Sequence, residues 1–110
     1  MPKPKGATGA TKMKIMAIIC YNADCGLNSY GYNIWQDLKT HFYTYLNDDD
    51  VRNVYRHLKD LCALDLIERE EVFGPGYTKR CLYHMTEKGR SFKTRYRRYL
   101  EIVHRTAGSS

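Results

Sequence analysis

The chain has 110 residues, of which 43% are hydrophobic and 27% are charged, and this composition predicts one folded domain with a packed core. It excludes intrinsic disorder as the general state, because disordered chains combine low hydrophobicity with high net charge. A membrane-spanning helix is excluded as well, since the longest apolar run, residues 15–21, is far shorter than the ~20 residues that span a bilayer.

The N-terminal region has only a superficial likeness to a secretory signal. Lysines precede the apolar run, but a small-residue cleavage site is missing and Asn22 and Asp24 follow the run directly. We therefore expect a cytoplasmic protein. In that compartment the four cysteines are expected to be thiols, not disulfides: Cys20, Cys25, Cys62 and Cys81.

The net charge of +6 is distributed unevenly along the chain. Residues 1–20 contain four Lys and no acidic residue, residues 21–78 contain five basic and ten acidic residues, and residues 79–110 contain nine basic and two acidic residues. Positive charge concentrated near both ends favours a polyanionic partner, most simply nucleic acid. The alternative is a charged surface that only aids solubility.

The first part of the chain predicts a flexible arm followed by two helices. Residues 1–10 contain two Pro and two Gly without an apolar period, which indicates a flexible basic arm. Thr11 can cap a first helix that runs to about Asn22 and is apolar on nearly all sides, as buried helices are. A second helix begins at Ser29, and its apolar residues share one face: Ile34, Trp35, Leu38 and Phe42.

A third helix follows a predicted break over residues 43–47. Residues 48–50, all Asp, are suited to cap its N-terminus, where carboxylates meet free amides and the positive end of the dipole. Capping is the favoured account of this run, and a divalent-cation site is the alternative. Apolar residues then recur every three or four positions from Val51 to Cys62.

After Asp65 the pattern predicts two strands and a last helix. Residues 66–73 and 77–85 have strand-like patterns and flank the turn sequence Gly74-Pro75-Gly76. Thr86 starts a helix that ends near residue 105, and residues 106–110 are predicted to be a disordered tail. Three helices, a two-stranded hairpin and a final helix form the α+β architecture of the winged helix-turn-helix, here over residues 11–105.

Four segments in this order carry a resemblance to a known family: SYGYNIW (29–35), VYRHLKDL (54–61), LDLIE (64–68) and YHMTEKG (83–89). They resemble, in turn, the Gly-Tyr-x-Ile segment, the recognition helix, the entry to the wing and the end of the wing in PadR-like winged-helix transcriptional regulators. The resemblance implies a DNA-binding regulator of transcription that uses the third helix and the wing. The chain departs from the family pattern before the recognition helix, where residues 50–53 replace Ser-x-Gly-Thr.

The candidate DNA-binding residues lie on the third helix, the second helix and the wing. On the third helix they share one face: Arg52, Asn53, Arg56 and Lys59. In a winged helix this face enters the major groove, where Arg pairs with guanine and Asn with adenine. The alternative is a solvated face with ion pairs such as Arg56 with Asp60.

Three further residues complete the predicted DNA-binding set. Tyr32 belongs to the segment that resembles the family. Lys79 and Arg80 lie beside the wing turn, where they could contact phosphates or the minor groove. The alternative for this pair is an ion pair with the acidic first strand of the wing.

The first and last helices predict a homodimer. Phe92, Tyr96, Tyr99 and Val103 recur like the seam of a helix that packs along another helix, and the first helix also needs a partner. We therefore expect a dimer interface formed by Ile15, Ile19, Phe92, Tyr96, Tyr99 and Val103. The basic residues of the last helix then flank this interface, and a second phosphate-binding surface is the alternative.

Catalytic and metal-binding classes find little support in the sequence. There is no Gly-rich phosphate loop, no Gly-x-Ser-x-Gly and no Cys-x-x-Cys or His-x-x-x-His spacing, so we expect no enzyme, no cofactor and no metal. Trp35 with Tyr30 and Tyr32 could line a pocket for a small-molecule effector, or Trp35 could belong to the core. The sequence thus predicts a homodimeric, sequence-specific transcriptional regulator. The alternative is a winged-helix module that binds proteins, or binds DNA without sequence preference in replication or chromatin.

Overall fold

The computed structural model describes residues 5–42, 51–74, 76 and 79–107. Its elements, in chain order, are α1 (Lys5–Asp24), α2 (Gly31–Phe42), α3 (Val51–Ala63), β1 (Ile67–Phe73), β2 (Lys79–Met85), α4 (Glu87–Arg90) and α5 (Lys93–Ala107). β1 and β2 pair antiparallel, from Ile67 opposite Met85 to Phe73 opposite Lys79. The predicted α+β winged helix is therefore confirmed. None of the described helices combines the length and the apolar composition that crossing a bilayer requires.

The centre of the fold is the middle of α1, residues 15–19, which is buried on every side. Residues 15–19 are five consecutive core positions, and five successive residues cover the whole circumference of a helix. The surrounding helices contribute one apolar stripe each to the same core: Ile34 and Leu38 from α2, Val54, Leu58 and Leu61 from α3, and Tyr96, Leu100 and Val103 from α5. Each such side chain stabilises the fold by ~1.5–3 kcal/mol when it is fully buried.

The packing of α1 on α5 within one chain corrects the predicted dimer interface. Ile15, Ile19, Tyr96 and Val103 are all about 1% exposed or less, so these four side chains are core residues of a single chain. They have no surface to offer to a second copy. The premise that both helices lack a partner is wrong, because each helix is the partner of the other.

The first helix begins six residues earlier than predicted, at Lys5 instead of Thr11. Residues 5–10, expected to belong to a flexible arm, therefore have helical backbone. The physical reason is that a helix nucleated by the buried residues that follow is extended at little cost, and this outweighs the low helix propensity of Gly6 and Gly9. Residues 1–4 of the predicted arm lie outside the described residues.

The second helix begins two residues later than predicted. The carbonyl oxygen of Ser29 accepts a hydrogen bond from the amide of Tyr83 at 2.9 Å, and Tyr30 forms a β-bridge with Leu82. Ser29 and Tyr30 thus act as a short extended segment at the edge of β2. This pairing holds them out of the helix, which starts at Gly31.

The predicted last helix is two helices. A helix starts at Thr86 as expected, and Thr86 is its cap, because its Oγ1 accepts a hydrogen bond from the amide of Gly89 at 3.0 Å and donates one to the carbonyl oxygen of Asp65 at 2.6 Å. These bonds anchor α4 at the junction of α3 and β1, whereas α5 packs on α1. The chain therefore breaks at Ser91 and Phe92 between the two helices. α5 then continues to Ala107, so residues 106 and 107 of the predicted tail are helical.

Two predicted loops are only partly described. Residues 43–50, which contain the predicted break and the acidic cap, lie outside the described residues, as do residues 75, 77 and 78 of the wing turn. Gly76 has a φ of 75°, a left-handed backbone conformation that glycine adopts without strain. This conformation agrees with the turn predicted between the two strands.

Candidate nucleic-acid interface

The outer face of α3 brings together three of the four predicted base-contacting residues. Because the opposite side of the helix is fully buried in the core, Arg52, Arg56 and Lys59 point outward, and all three are solvent-accessible. Asn53 is half-buried and lies nearer the edge of the helix that faces α1. The exposed face is therefore cationic, with Asn53 at its margin.

The edge of α3 next to α1 is held by Lys12. Its Nζ lies 3.1 Å from Nδ1 of His57 and 3.6 Å from Oδ2 of Asp60. Since an ammonium group can only donate, Nδ1 of His57 accepts this hydrogen bond and carries no proton in this arrangement. Burial first, and then the charge of Lys12, lowers the pKa of His57. Asp60, a suggested partner of Arg56, pairs with Lys12 of α1.

The N-terminus of α2 lies beside α3 because of Gly31. A Cβ at this position would overlap the ring of Tyr55, so glycine lets that ring lie directly against the start of α2. Tyr32, in the next position, is 55% exposed, and its ring centroid lies 5.2 Å from that of Trp35. Tyr32 is therefore available at the same surface as the exposed face of α3.

The wing places its two predicted cations in different environments. Nζ of Lys79 forms an ion pair with Oε2 of Glu71 at 3.0 Å, as the alternative interpretation of this residue predicted. The guanidinium of Arg80 lies 5.6 Å from the ring centroid of Tyr30, which directs it toward the N-terminus of α2. Arg80 is thus better placed than Lys79 to contact a ligand on the α2–α3 surface.

Two grooves flank Tyr55 and connect α3 with the other parts of the surface. One, of about 400 Å³, joins the N-terminus of α2 to the wing and brings Tyr32, Lys79 and Arg80 together. The other, of about 680 Å³, separates α3 from β1 and is lined by Lys59 and Arg69 among others. Each groove thus has cations on its rim beside an exposed helix.

Sequence reasoning missed Tyr55 and Arg69. Tyr55 lines both grooves and is 44% exposed, although its position in the apolar repeat of α3 suggested a core residue. Arg69 lies on β1 among the acidic residues, and its Nη2 contacts Oε1 of Glu71 at 3.8 Å. The alternation along β1 is the signal that could have found it, because it puts Arg69 on the same face as the buried Ile67, and the structure pairs Arg69 with Tyr83.

Of the two expectations for Trp35, a lining residue of an effector pocket or a core residue, the structure supports the core residue. Trp35 is 4% exposed, and Nζ of Lys39 lies 3.7 Å from its ring centroid, so the indole packs inside the fold under a lysine. A further cavity of about 420 Å³ lies between the C-terminal end of α1 and β2. Its lining includes Ile19, Leu82 and Arg90.

The four cysteines are free thiols, and burial raises the pKa of two of them, Cys20 and Cys62. A high pKa keeps a thiol protonated and unreactive at neutral pH. Tyr83, which lines the larger groove, has its pKa raised to about 12 by burial. Within the described ranges, no three His, Cys, Asp or Glu side chains are grouped as a metal site would require.

Comparisons with known proteins identify the fold. No protein-family model matches the chain, and no curated protein matches its sequence. Among solved structures, a PadR-like transcriptional regulator from Bacillus cereus has a TM-score of 0.63 at 24% identity, covering 91% of this chain and 89% of its own. A transcriptional regulator from Streptococcus has a TM-score of 0.66 at 13% identity, covering 96% of both chains. The chain therefore has the winged-helix fold of PadR-like transcriptional regulators, which its four matched segments predicted.

Proposed function

We propose that the chain is a PadR-like transcriptional regulator that binds duplex DNA, with the outer face of α3 in the major groove. The observation that carries this proposal is the cationic face of α3, where Arg52, Arg56 and Lys59 are presented together. They lie on the helix in the recognition position of a fold that this chain shares with transcriptional regulators. The proposed activity is binding and not catalysis, and its place is the cytoplasm, where the target DNA lies.

The parts of this surface divide between affinity and specificity. Guanidinium groups at Arg52 and Arg56 can form paired hydrogen bonds with guanine, whose acceptors are unique in the major groove. Arg69 and Arg80, on the rims of the two grooves, are placed to neutralise phosphates, which adds affinity without sequence information. The hydroxyl of Tyr32 can donate a hydrogen bond to a phosphate oxygen beside the N-terminus of α2, where free backbone amides also favour anions.

A homodimer would present two such surfaces and double the length of DNA that is recognised. Of the six residues predicted at its interface, Phe92 and Tyr99 are only half-buried in the chain, so a dimer would use their outer edges. A small-molecule effector would bind in the cavity between α1 and β2, which adjoins the segment leading to Tyr30.

Selection of tight binders from random duplex DNA tests the proposal. We expect a consensus sequence, and a palindromic one for a dimer. Replacing Arg56 by Ala should then weaken binding to that sequence by ~1–3 kcal/mol and relax the preference at one base pair. Lys88→Ala, which removes one exposed cation from α4, is the matched control and should change affinity little.

The alternative function is DNA binding without sequence preference. The cations that line the two grooves, such as Arg69 and Arg80, favour it, because contacts with phosphates bind any duplex without reading its sequence. The same selection separates the two functions. Recovered sequences without a consensus, together with equal losses of affinity on all duplexes for Arg52→Ala and Arg56→Ala, would contradict sequence-specific regulation.

A further inference from the structure

The outer side of α5 forms a second cationic surface, which we call the α5 face. Its five basic residues are all exposed: Lys93, Arg95, Arg97, Arg98 and Arg105. α5 contains a single carboxylate, Glu101, whose Oε1 lies 3.8 Å from Nε of Arg97. Exposed ion pairs of this kind contribute little free energy, so Arg97 can leave Glu101 for another anion. With five cations and one carboxylate along α5, the α5 face has a net positive charge.

The α5 face lies on the opposite side of the molecule from α3. Lys12 of α1 contacts His57 and Asp60 of α3. Lys14, two residues later, lies 5.9 Å from the ring centroid of Tyr99 in α5. Side chains two residues apart on a helix point about 200° apart, so α3 and α5 pack against nearly opposite sides of α1. Because the exposed side of each helix points away from α1, a duplex on α3 leaves the α5 face open.

The packing of α5 also restricts what can bind there. Its apolar residues Tyr96, Leu100 and Val103 are buried against the rest of the chain, and Tyr99 and Ile102 are only partly exposed, so the exposed face has few of the apolar side chains with which an amphipathic helix enters a membrane. A second copy placed symmetrically on these cations would bring like charges together, so a dimer through the outer edges of Phe92 and Tyr99, which lie beside the buried stripe of α5, would leave the cations uncovered. A rigid polyanion avoids both difficulties.

Two arginines of the α5 face are already held in place. The guanidinium of Arg95 lies 5.0 Å from the ring centroid of Phe92, and that of Arg98 lies 5.9 Å from that of Tyr99. Stacking on a ring restricts a guanidinium without using its N–H donors, which remain at the edge of the group. From Lys93 to Arg105 the cations extend over about 18 Å of helix. A duplex has one phosphate per strand for every ~3.4 Å of its axis, so several phosphates lie within reach.

We propose that the α5 face binds the backbone of a second DNA segment, so that one molecule bridges two duplexes. The proposal rests on the proposed function for the first duplex, which α3 binds. Contacts of the α5 face are with phosphates and therefore independent of sequence. Bridging would hold a nonspecific segment beside the site that α3 recognises.

A capture assay tests this proposal. The selected duplex is fixed to beads and saturated with protein, and the retention of a labelled duplex of unrelated sequence is measured at several salt concentrations. The wild-type chain should retain the second duplex. Arg98→Gln/Arg105→Gln should bind the first duplex as the wild type does but lose most of the retention, with a salt slope lower by about 1.8, since each phosphate contact contributes about 0.9.

Charge-conserving and alternative variants serve as controls. Arg98→Lys/Arg105→Lys should retain the second duplex, and thermal unfolding shows whether each variant is folded. Lys93→Gln/Arg105→Gln leaves the stacked arginines in place and should show the same loss as Arg98→Gln/Arg105→Gln. Retention equal to wild type in both glutamine variants would overturn the proposal.

Two further results would each contradict bridging, for different reasons. If Arg52→Gln/Arg56→Gln leaves binding of the first duplex unchanged, the proposed function of α3 fails, and bridging in this form fails with it. Flotation with vesicles containing phosphatidylserine measures membrane binding. Vesicle binding that the glutamine variants abolish, without retention of the second duplex by the wild type, would assign the α5 face to anionic lipid and overturn the proposal.

Discussion

Single residues without side chains decide how closely the elements of this fold approach each other. At Gly89, which is buried, a Cβ would overlap the carbonyl oxygen of Leu66 and lie 2.6 Å from Sδ of Met85. Gly26 has a φ of 72°, but its surroundings are open. Alanine in place of Gly89 would therefore clash with backbone that cannot move aside. Alanine in place of Gly26 would have room, and its cost would be only that of the left-handed backbone conformation.

We expect Gly89→Ala to destabilise the protein by ~1–3 kcal/mol or more, although alanine normally favours a helix over glycine by about 1 kcal/mol. Gly26→Ala should cost about 1–2 kcal/mol, the usual cost of a left-handed conformation. Chemical denaturation measures both losses of stability, provided that the free energy of unfolding depends on denaturant concentration with a similar slope in the two variants. A Gly89→Ala protein as stable as the wild type would contradict this account of the α4 anchor.

His57 should make the stability of the fold depend on pH. Its pKa is lowered from the ordinary value of 6.5 by burial and by Lys12, so the unfolded chain binds a proton more readily than the folded one. The free energy of unfolding should therefore decrease as the pH falls below about 6.5 and through the lowered pKa, by at most about 1.4 kcal/mol per pH unit. His57→Gln keeps an acceptor for Lys12 and should reduce this dependence. Urea denaturation between pH 5 and 7.5 compares the two slopes, and identical slopes would exclude His57 as the cause.

At the scale of the element, the wing combines cations and carboxylates in one hairpin. Glu71 contacts both Lys79 and Arg69, so it reduces the charge of two groups that could otherwise neutralise phosphate. The acidic pattern of β1 was visible in the sequence. Which cations these carboxylates contact depends on the register in which β1 pairs with β2. The sequence does not specify this register, because it does not fix how many residues form the turn.

Removing this carboxylate should therefore increase the affinity for DNA. Glu71→Gln keeps the size of the side chain, releases Lys79, and should steepen the salt dependence of binding by about 0.9 for one new phosphate contact. Glu87→Gln removes one exposed carboxylate from α4 and is the control for the change in net charge. Fluorescence titration of one duplex at several salt concentrations measures the slopes. Equal slopes for Glu71→Gln and wild type would mean that Lys79 does not contact DNA.

For the whole molecule, two tyrosines of α5 distinguish intramolecular packing from assembly. Tyr96 is 1% exposed in the core, whereas Tyr99 is half-buried, with its ring centroid 5.9 Å from that of Phe42. We expect Tyr96→Ala to cost ~3–5 kcal/mol, the range for a buried aromatic side chain. Tyr99→Ala should cost less and should shift a dimer toward monomer. Denaturation and sedimentation measure the two effects, and a larger loss of stability for Tyr99→Ala would contradict this assignment.

The sequence by itself determined the order of the elements as far as the wing, and the bounds of α3, β1 and β2 within about two residues, because periodicity and turn residues are local signals. It placed Arg52, Arg56 and Lys59 on one face for the same reason, since 3.6 residues per turn relates neighbours along a helix. It also predicted that a helix starts at Thr86, which the structure shows to be the cap of α4 through a hydrogen bond from Gly89, three residues further on.

Only the tertiary structure decided which apolar surfaces meet. The apolar residues of α1 and α5 are visible in the sequence, and they show that each helix packs against another surface. They do not show which surface, because packing within one chain and packing in a dimer require the same apolar pattern. The structure joins residues 15–19 to Tyr96 and Val103 across more than seventy residues, and this contact leaves the basic side of α5 exposed. It likewise pairs Ser29 with Tyr83 and brings Arg80 to Tyr30, because hydrogen bonds and cation–ring contacts depend on distances in space that no spacing along the chain records.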